Sequence, residues 1–230
     1  MADIESPILN PDAPNTRNVY TKHFAYLGPM RPSHPDSLYV YTCACGRGAV
    51  SATGKYGAAV STIHWGAADA DGDQGVAAAT DDHGTAGSTG WRGVAVSTGA
   101  QAAASSRGER GAAVSTGSES DAFAWGNHSV AAVTGHRGSA SAMGEQAVAV
   151  ATGSYGSADA TSGHGVALAT GCGGMVMGML GCALFAVERI DGNIVSVAAG
   201  IVDGVTIMPN TWYECHRGKL YKVIGGPNDQ

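Results

Sequence analysis

Bulky side chains are scarce in this sequence. Three phenylalanines and four tryptophans occur among 230 residues, and aromatics of all kinds make up 7%. A chain so poor in large apolar groups cannot fill a wide globular core, so its core is thin or absent. Charge is sparse too, at 14% of residues, and the net charge of −6 speaks against a general nucleic-acid binder. Long apolar runs are missing. The most apolar segment, Met175 to Val187, is short and interrupted by glycine, so no membrane span is expected. Proline is nearly absent outside one region, six of the eight lying between Pro7 and Pro35. The five cysteines are odd in number and show no CxxC spacing, which suits core thiols better than a disulfide framework or a zinc site. Met1–Asn10 has no basic start followed by an apolar run, and the expectation is a cytoplasmic protein, in the host bacterium if the chain is viral.

What the chain does have is 35 glycines and a strict repeat. From Gly48 through Cys182, the pattern G-x-A-x-[AS]-T-G-x-x recurs every nine residues, giving fifteen units in register. Position three is alanine from Ala59 through Ala167, with Val50 and Val176 in the end units, and position five is small. In a strand, positions two apart share a face. Positions three and five therefore point into a narrow interior, and positions two, four and six point out. Glycine at positions one and seven is expected to supply the backbone freedom of tight corners. A glycine period of nine excludes collagen.

Alternate units differ, so the coil is expected to span two units, eighteen residues in all. In every second unit position six is threonine, from Thr62 to Thr170, and position four is apolar: Val60, Ala78, Val96, Val114, Ala132, Val150 and Leu168. The intervening units are mostly polar or glycine at position four. The fold expected is all-β: a two-faced β-solenoid of nonapeptide repeats, seven and a half coils and roughly 36 Å long at about 4.8 Å per coil. Residues 1–47 read as an N-terminal arm and cap, 48–182 as the solenoid, and 183–230 as a C-terminal β-meander cap with turns at Asp191-Gly192, Asp203-Gly204 and Arg217-Gly218. Val205–Met208 and Trp212–Glu214 are read as strands of that meander.

The repeat is similar to the head repeats of trimeric autotransporter adhesins, which stack short A-x-A-x-G units into a β-solenoid and trimerise. More specifically, the A-[AV]-[AS]-T-G units followed by Gly181-Cys182, the Val202-Asp203-Gly204 turn and Pro209-Asn210-Thr211-Trp212-Tyr213 resemble uncharacterised phage and prophage proteins. The first likeness implies a homo-oligomer, with three copies as its stoichiometry. The second implies viral origin and supplies no activity.

Two candidate surfaces follow. A flat Val/Thr face is larger than soluble monomers usually expose. Val60, Val96, Val114, Val150 and Leu168, with Thr98 and Thr116, are expected at an oligomer interface; the same threonine ladder admits ice binding as a lesser alternative. On the polar side, four of the five Lys and Arg residues of the solenoid fall between Arg92 and Arg137. Trp91, Arg92, Arg107, Arg110, Trp125 and His128 come from three successive units of one parity, so they should gather near one edge. Arginines with indoles offer charge-assisted hydrogen bonds to phosphate and a stacking surface for a base. A small anionic ligand such as a nucleotide is the partner this patch suggests, and a phage counter-defence role in sequestering such a signal is the alternative function. The competing reading is a ladder of salt bridges with Glu109, Glu119 and Asp121. No P-loop, HExxH or nucleophile elbow occurs, and the Asp69, Asp71, Asp73 run lacks the glycine and glutamate of a calcium loop. The chain is therefore read as a non-enzymatic binding or assembly protein without cofactor or metal.

Overall fold

Alternation of small buried and larger exposed residues in runs of four can bury one face of a strand, and stacking identical runs buries it continuously. The computed structural model describes residues 19–24, 38–43 and 49–224. Among them the chain is all-β, without helix, and forms a β-solenoid of stacked parallel coils, with antiparallel strands at its C-terminal end. Successive strands alternate between two sheets. Each pairs in parallel with the strand two units away, so Ala113 sits between Ala95 and Ala131, and Ala122 between Ala104 and Ala140. One sheet, the valine sheet, has eleven strands; the other, the polar sheet, has ten.

The interior is as thin as the composition demands. Position three is fully buried alanine coil after coil, and position five is buried alanine or serine, with Val133 the large exception. Two pairs of inward serines meet between coils: Ser97 and Ser115 hydroxyls lie 2.8 Å apart, Ser88 and Ser106 3.3 Å. A hydroxyl shared between rungs satisfies a polar group where water cannot enter.

The corners correct the expected role of glycine. The turn is closed by a bond from the position-one N–H to the position-seven carbonyl, as from Gly75 to Gly72 at 3.1 Å. The left-handed residue is position nine, and it is almost never glycine: Trp65, Gln101, Arg110, His128, Tyr155 and His164 have φ between 54° and 64°. Their N–H groups reach the next coil, as Arg110 does to the Asn127 carbonyl at 2.9 Å. Glycine at position seven has a different job. A Cβ added at Gly90, Gly108, Gly117 or Gly135 would lie 1.5–1.6 Å from the carbonyl oxygen of the equivalent glycine one coil earlier. Close stacking of backbone on backbone, rather than conformational freedom, selects the residue.

The ends are built differently. Strands Val19–Phe24 and Leu38–Cys43 extend the valine sheet before the first repeat; the remainder of the arm expected over 1–47 lies outside the described residues. At the other end the final step is one residue short of two units, Val166 pairing with Ala183, and Cys182 takes the place of a position-one glycine. Strand Ala183–Ile190 therefore begins as one more parallel rung and then turns back at Asp191-Gly192 into the antiparallel strand Asn193–Ile201. Leu184, Val176, Val202 and Tyr213 replace alanine inside and close the narrow core with bulk. Strands Tyr213–His216 and Lys219–Lys222 finish the polar sheet. Asp191-Gly192 and Arg217-Gly218 are two-residue hairpin turns with both φ angles positive, as read. Val205–Met208 is not a strand. It wraps the Asp203 carboxylate, which accepts the N–H groups of Val205, Thr206 and Ile207 at 2.8–2.9 Å, and these bonds pull its pKa down to about 2. Glu188 pins the last hairpin, accepting the Ser196 hydroxyl and the Arg217 N–H and lying 3.1 Å from His216 Nδ1.

Candidate functional site

Coil stacking turns each repeat position into a column. Position six of the polar sheet carries Asp71, Thr89, Arg107, Trp125 and Met143 on its outer face, and the adjoining corner carries Trp91 at position eight with Arg92, Arg110 and His128 at position nine. The guanidinium of Arg107 lies 4.4 Å from the ring centre of Trp125 in the next coil. At the corner, Arg92 and Arg110 from successive coils address the same Trp91 indole, at 4.8 Å and 5.9 Å. Both indoles keep more than two fifths of their surface exposed. Five of the six expected ligand residues thus form two cation–π groups. His128 lies one coil further along the same corner, with its backbone N–H bonded to the Glu145 carbonyl.

Among the described residues, no carboxylate comes within ion-pair distance of Arg92, Arg107 or Arg110. The competing salt-bridge ladder is not formed among the described residues: Glu119 accepts from Gln101 Nε2 at 3.0 Å instead. One acidic group does flank the patch. The Asp69 carboxylate lies over Gly87, where an added Cβ would stand 2.4 Å from its oxygen. Burial and then the neighbouring Asp71 push its pKa up, and Arg107 offsets part of this. Thr89 donates to Asp71 beside it. The patch is cationic and aromatic on one side and acidic on the other.

The valine sheet presents the second candidate surface. Val60, Val96, Val114, Val150 and Leu168 form one half-buried outer column, flanked by exposed Thr98 and Thr116. The column does not end with the repeat. Leu168 pairs with Phe185, Phe185 with Ala199, and Ile201, 65% exposed, stands on the same face beside Ala183. No family model, curated protein or solved structure matches the chain. The two faces must therefore be interpreted from their own chemistry.

Two features escape a linear reading of the sequence. Cys182 and Cys215 are buried as expected, whereas Cys172 is exposed at a corner. On the corner after the valine sheet, His64, Asp81 and Asp82 bring their donor atoms within 4.8 Å of one another. The signal was available, since His64 and Asp82 are two units apart and so occupy one column.

Proposed function

We propose that this chain is a non-enzymatic, phage-encoded β-solenoid that works as a self-associating assembly module, with the outer face of the valine sheet as its contact surface. The observation that carries the reading is the unbroken apolar column from Val60 through Leu168 to Phe185 and Ile201. Nine strands at about 4.8 Å and four residues at about 3.3 Å give a face of roughly 43 by 13 Å, on the order of 600 Å² in projection. That is at the upper end of what monomers expose and near the roughly 800 Å² per partner of a standard interface. Further copies fit it for a geometric reason: every copy carries the same small side chains at the same rung spacing, so ridges of neighbouring copies can mesh. The likeness to adhesin heads supports three copies.

Size-exclusion chromatography with light scattering tests this directly. Wild type is expected to run as an oligomer, and Val96→Glu as a monomer with unchanged β-sheet circular dichroism, because a charge would be buried without a partner. An unchanged mass for Val96→Glu overturns the interface. A monomeric wild type overturns self-association and leaves the exposed threonine ladder to the ice-binding alternative.

The paired indoles and unneutralised guanidinium groups favour a second reading, a binder of a small anionic ligand held at Trp91, Arg92, Arg107, Arg110, Trp125 and His128. Native mass spectrometry of protein purified gently from a bacterial lysate reads it. An adduct of a few hundred daltons supports a nucleotide-sized ligand, and a bare oligomer leaves assembly alone.

A further inference from the structure

Position seven is where the solenoid is least tolerant, and it is also where one corner breaks the rule. On the corner following the valine sheet, Gly99, Gly117, Gly135, Gly153 and Gly171 fill position seven in five coils, but Ile63 and Asp81 fill it in the first two. Ile63 is buried, and Asp81 turns a carboxylate outward beside the imidazole of His64, with 4.0 Å between Oδ1 and Nδ1. Asp82, the next residue, stacks one coil above His64 at position eight. One ring nitrogen and two carboxylates thus converge from two successive coils.

The donors are oriented. Asp82 Oδ1 accepts the Ala100 N–H at 2.8 Å, and Asp81 Oδ1 accepts the Asp82 N–H at 2.8 Å. Each bond fixes the orientation of its carboxylate while leaving lone pairs for a ligand, the arrangement in which outer hydrogen bonds aim a metal-binding carboxylate. His64 stands edge-on to both Trp65 and His83, at ring separations of 5.7 Å and 5.3 Å, and those two rings stack at 4.1 Å. An aromatic wall therefore backs the imidazole on one side.

We propose that His64, Asp81 and Asp82 form a divalent transition-metal site of zinc type, which staples two successive coils at this corner. One nitrogen and two carboxylate oxygens suit zinc or its first-row neighbours, whereas calcium takes oxygen donors throughout. Metal–ligand bonds of about 2.0–2.2 Å require donors about 3.3 Å apart in a tetrahedron. His64 and Asp82 are exposed, so their side chains can rotate to contract to that spacing, with water completing the coordination. The staple sits where position seven is not glycine, beside the inter-coil bond from the Trp65 N–H to the Asp82 carbonyl at 3.2 Å.

The test uses full-length, tag-free protein stripped with chelator, titrated with Zn²⁺ by calorimetry and with Co²⁺ by visible absorption. One equivalent per chain is expected, with the intense visible bands of four-coordinate cobalt. His64→Ala and Asp82→Asn should each weaken binding by about tenfold or more. Asp82→Asn retains the amide oxygen that accepts the Ala100 N–H and so keeps the local fold, while Asp73→Asn on the opposite corner should bind as wild type. Absence of a one-equivalent site in the wild type overturns the proposal, as does unchanged affinity in His64→Ala. Oligomer mass is read separately, so loss of metal binding and loss of association are distinguishable.

Discussion

Replacing Gly117 by alanine adds a single methyl group, yet it should be among the most damaging changes available in the solenoid. The new Cβ would stand 1.6 Å from the Gly99 carbonyl oxygen and 2.3 Å from its carbon. Non-bonded contacts need about 3.2 Å or more, so the two coils must part by about 1.6 Å at that corner. Rungs spaced about 4.8 Å apart cannot open that far and keep their hydrogen bonds. The bonds at risk are those that join these two coils on either side of the site: Thr116 N–H to Ser97 at 3.1 Å and Gln101 N–H to Ser118 at 2.8 Å. Overpacking costs about 1–3 kcal/mol, and each of the two weakened bonds adds about 0.5–1.5 kcal/mol, for a total of about 2–6 kcal/mol. Gly163 is the internal control. Its backbone is not left-handed, and an added Cβ there meets nothing within 4 Å. Gly163→Ala should be neutral or stabilising by up to about 1 kcal/mol, through the entropy of the unfolded chain. Urea unfolding followed by far-ultraviolet circular dichroism compares the two. Stabilities within about 0.5 kcal/mol of each other, the scatter of ordinary surface substitutions, would refute the stacking role assigned to position seven.

Position nine should respond in the opposite sense. Gln146 holds φ at 54° with an exposed side chain, so Gln146→Gly should stabilise by about 1 kcal/mol in the same urea series. Asp203 makes the C-terminal end acid-sensitive. Its pKa is lowered from 3.8 to about 2 in the folded state, so its contribution is complete above the ordinary value and is lost as pH falls from about 4 towards 2. Hydrogen exchange at the Val205, Thr206 and Ile207 amides should accelerate over that window in wild type, and in Asp203→Asn it should already be fast at neutral pH without the acid step.

Much of the architecture was written in the periodicity. A nine-residue repeat with alternating parity dictates two sheets and a two-unit rung, and alanine at Ala59, Ala77 and Ala95 announces the inner face because nothing larger fits. The corner conformation was hidden, since position nine holds tryptophan, tyrosine, histidine, arginine, glutamine or glutamate and none of these marks a left-handed backbone. Glycine drew attention to position seven, but for conformational freedom when the cause is contact with the coil below. Val205–Met208 has the composition of a strand. Its fate was decided by the Asp203 carboxylate capturing three successive N–H groups, a local competition that hydrophobic pattern does not register. The arginine–tryptophan groups were legible because column membership follows from unit parity. The His64–Asp82 column was readable in the same way; what hid the cluster is Asp81, which stands at a position where the later coils of that corner carry glycine.

The strict parity of the coil also governs how such a chain can change in length. Removing or adding two units together leaves every downstream side chain on its own sheet and shifts the C-terminal strands by one rung. A change of a single unit would exchange the sheets, carry the valine column onto the polar side and present the closing strands to the wrong edge. Gain or loss of repeat units therefore has only one viable step, the two-unit coil. Rod length in a lineage of these proteins would be inherited as whole coils, each worth one strand spacing of reach.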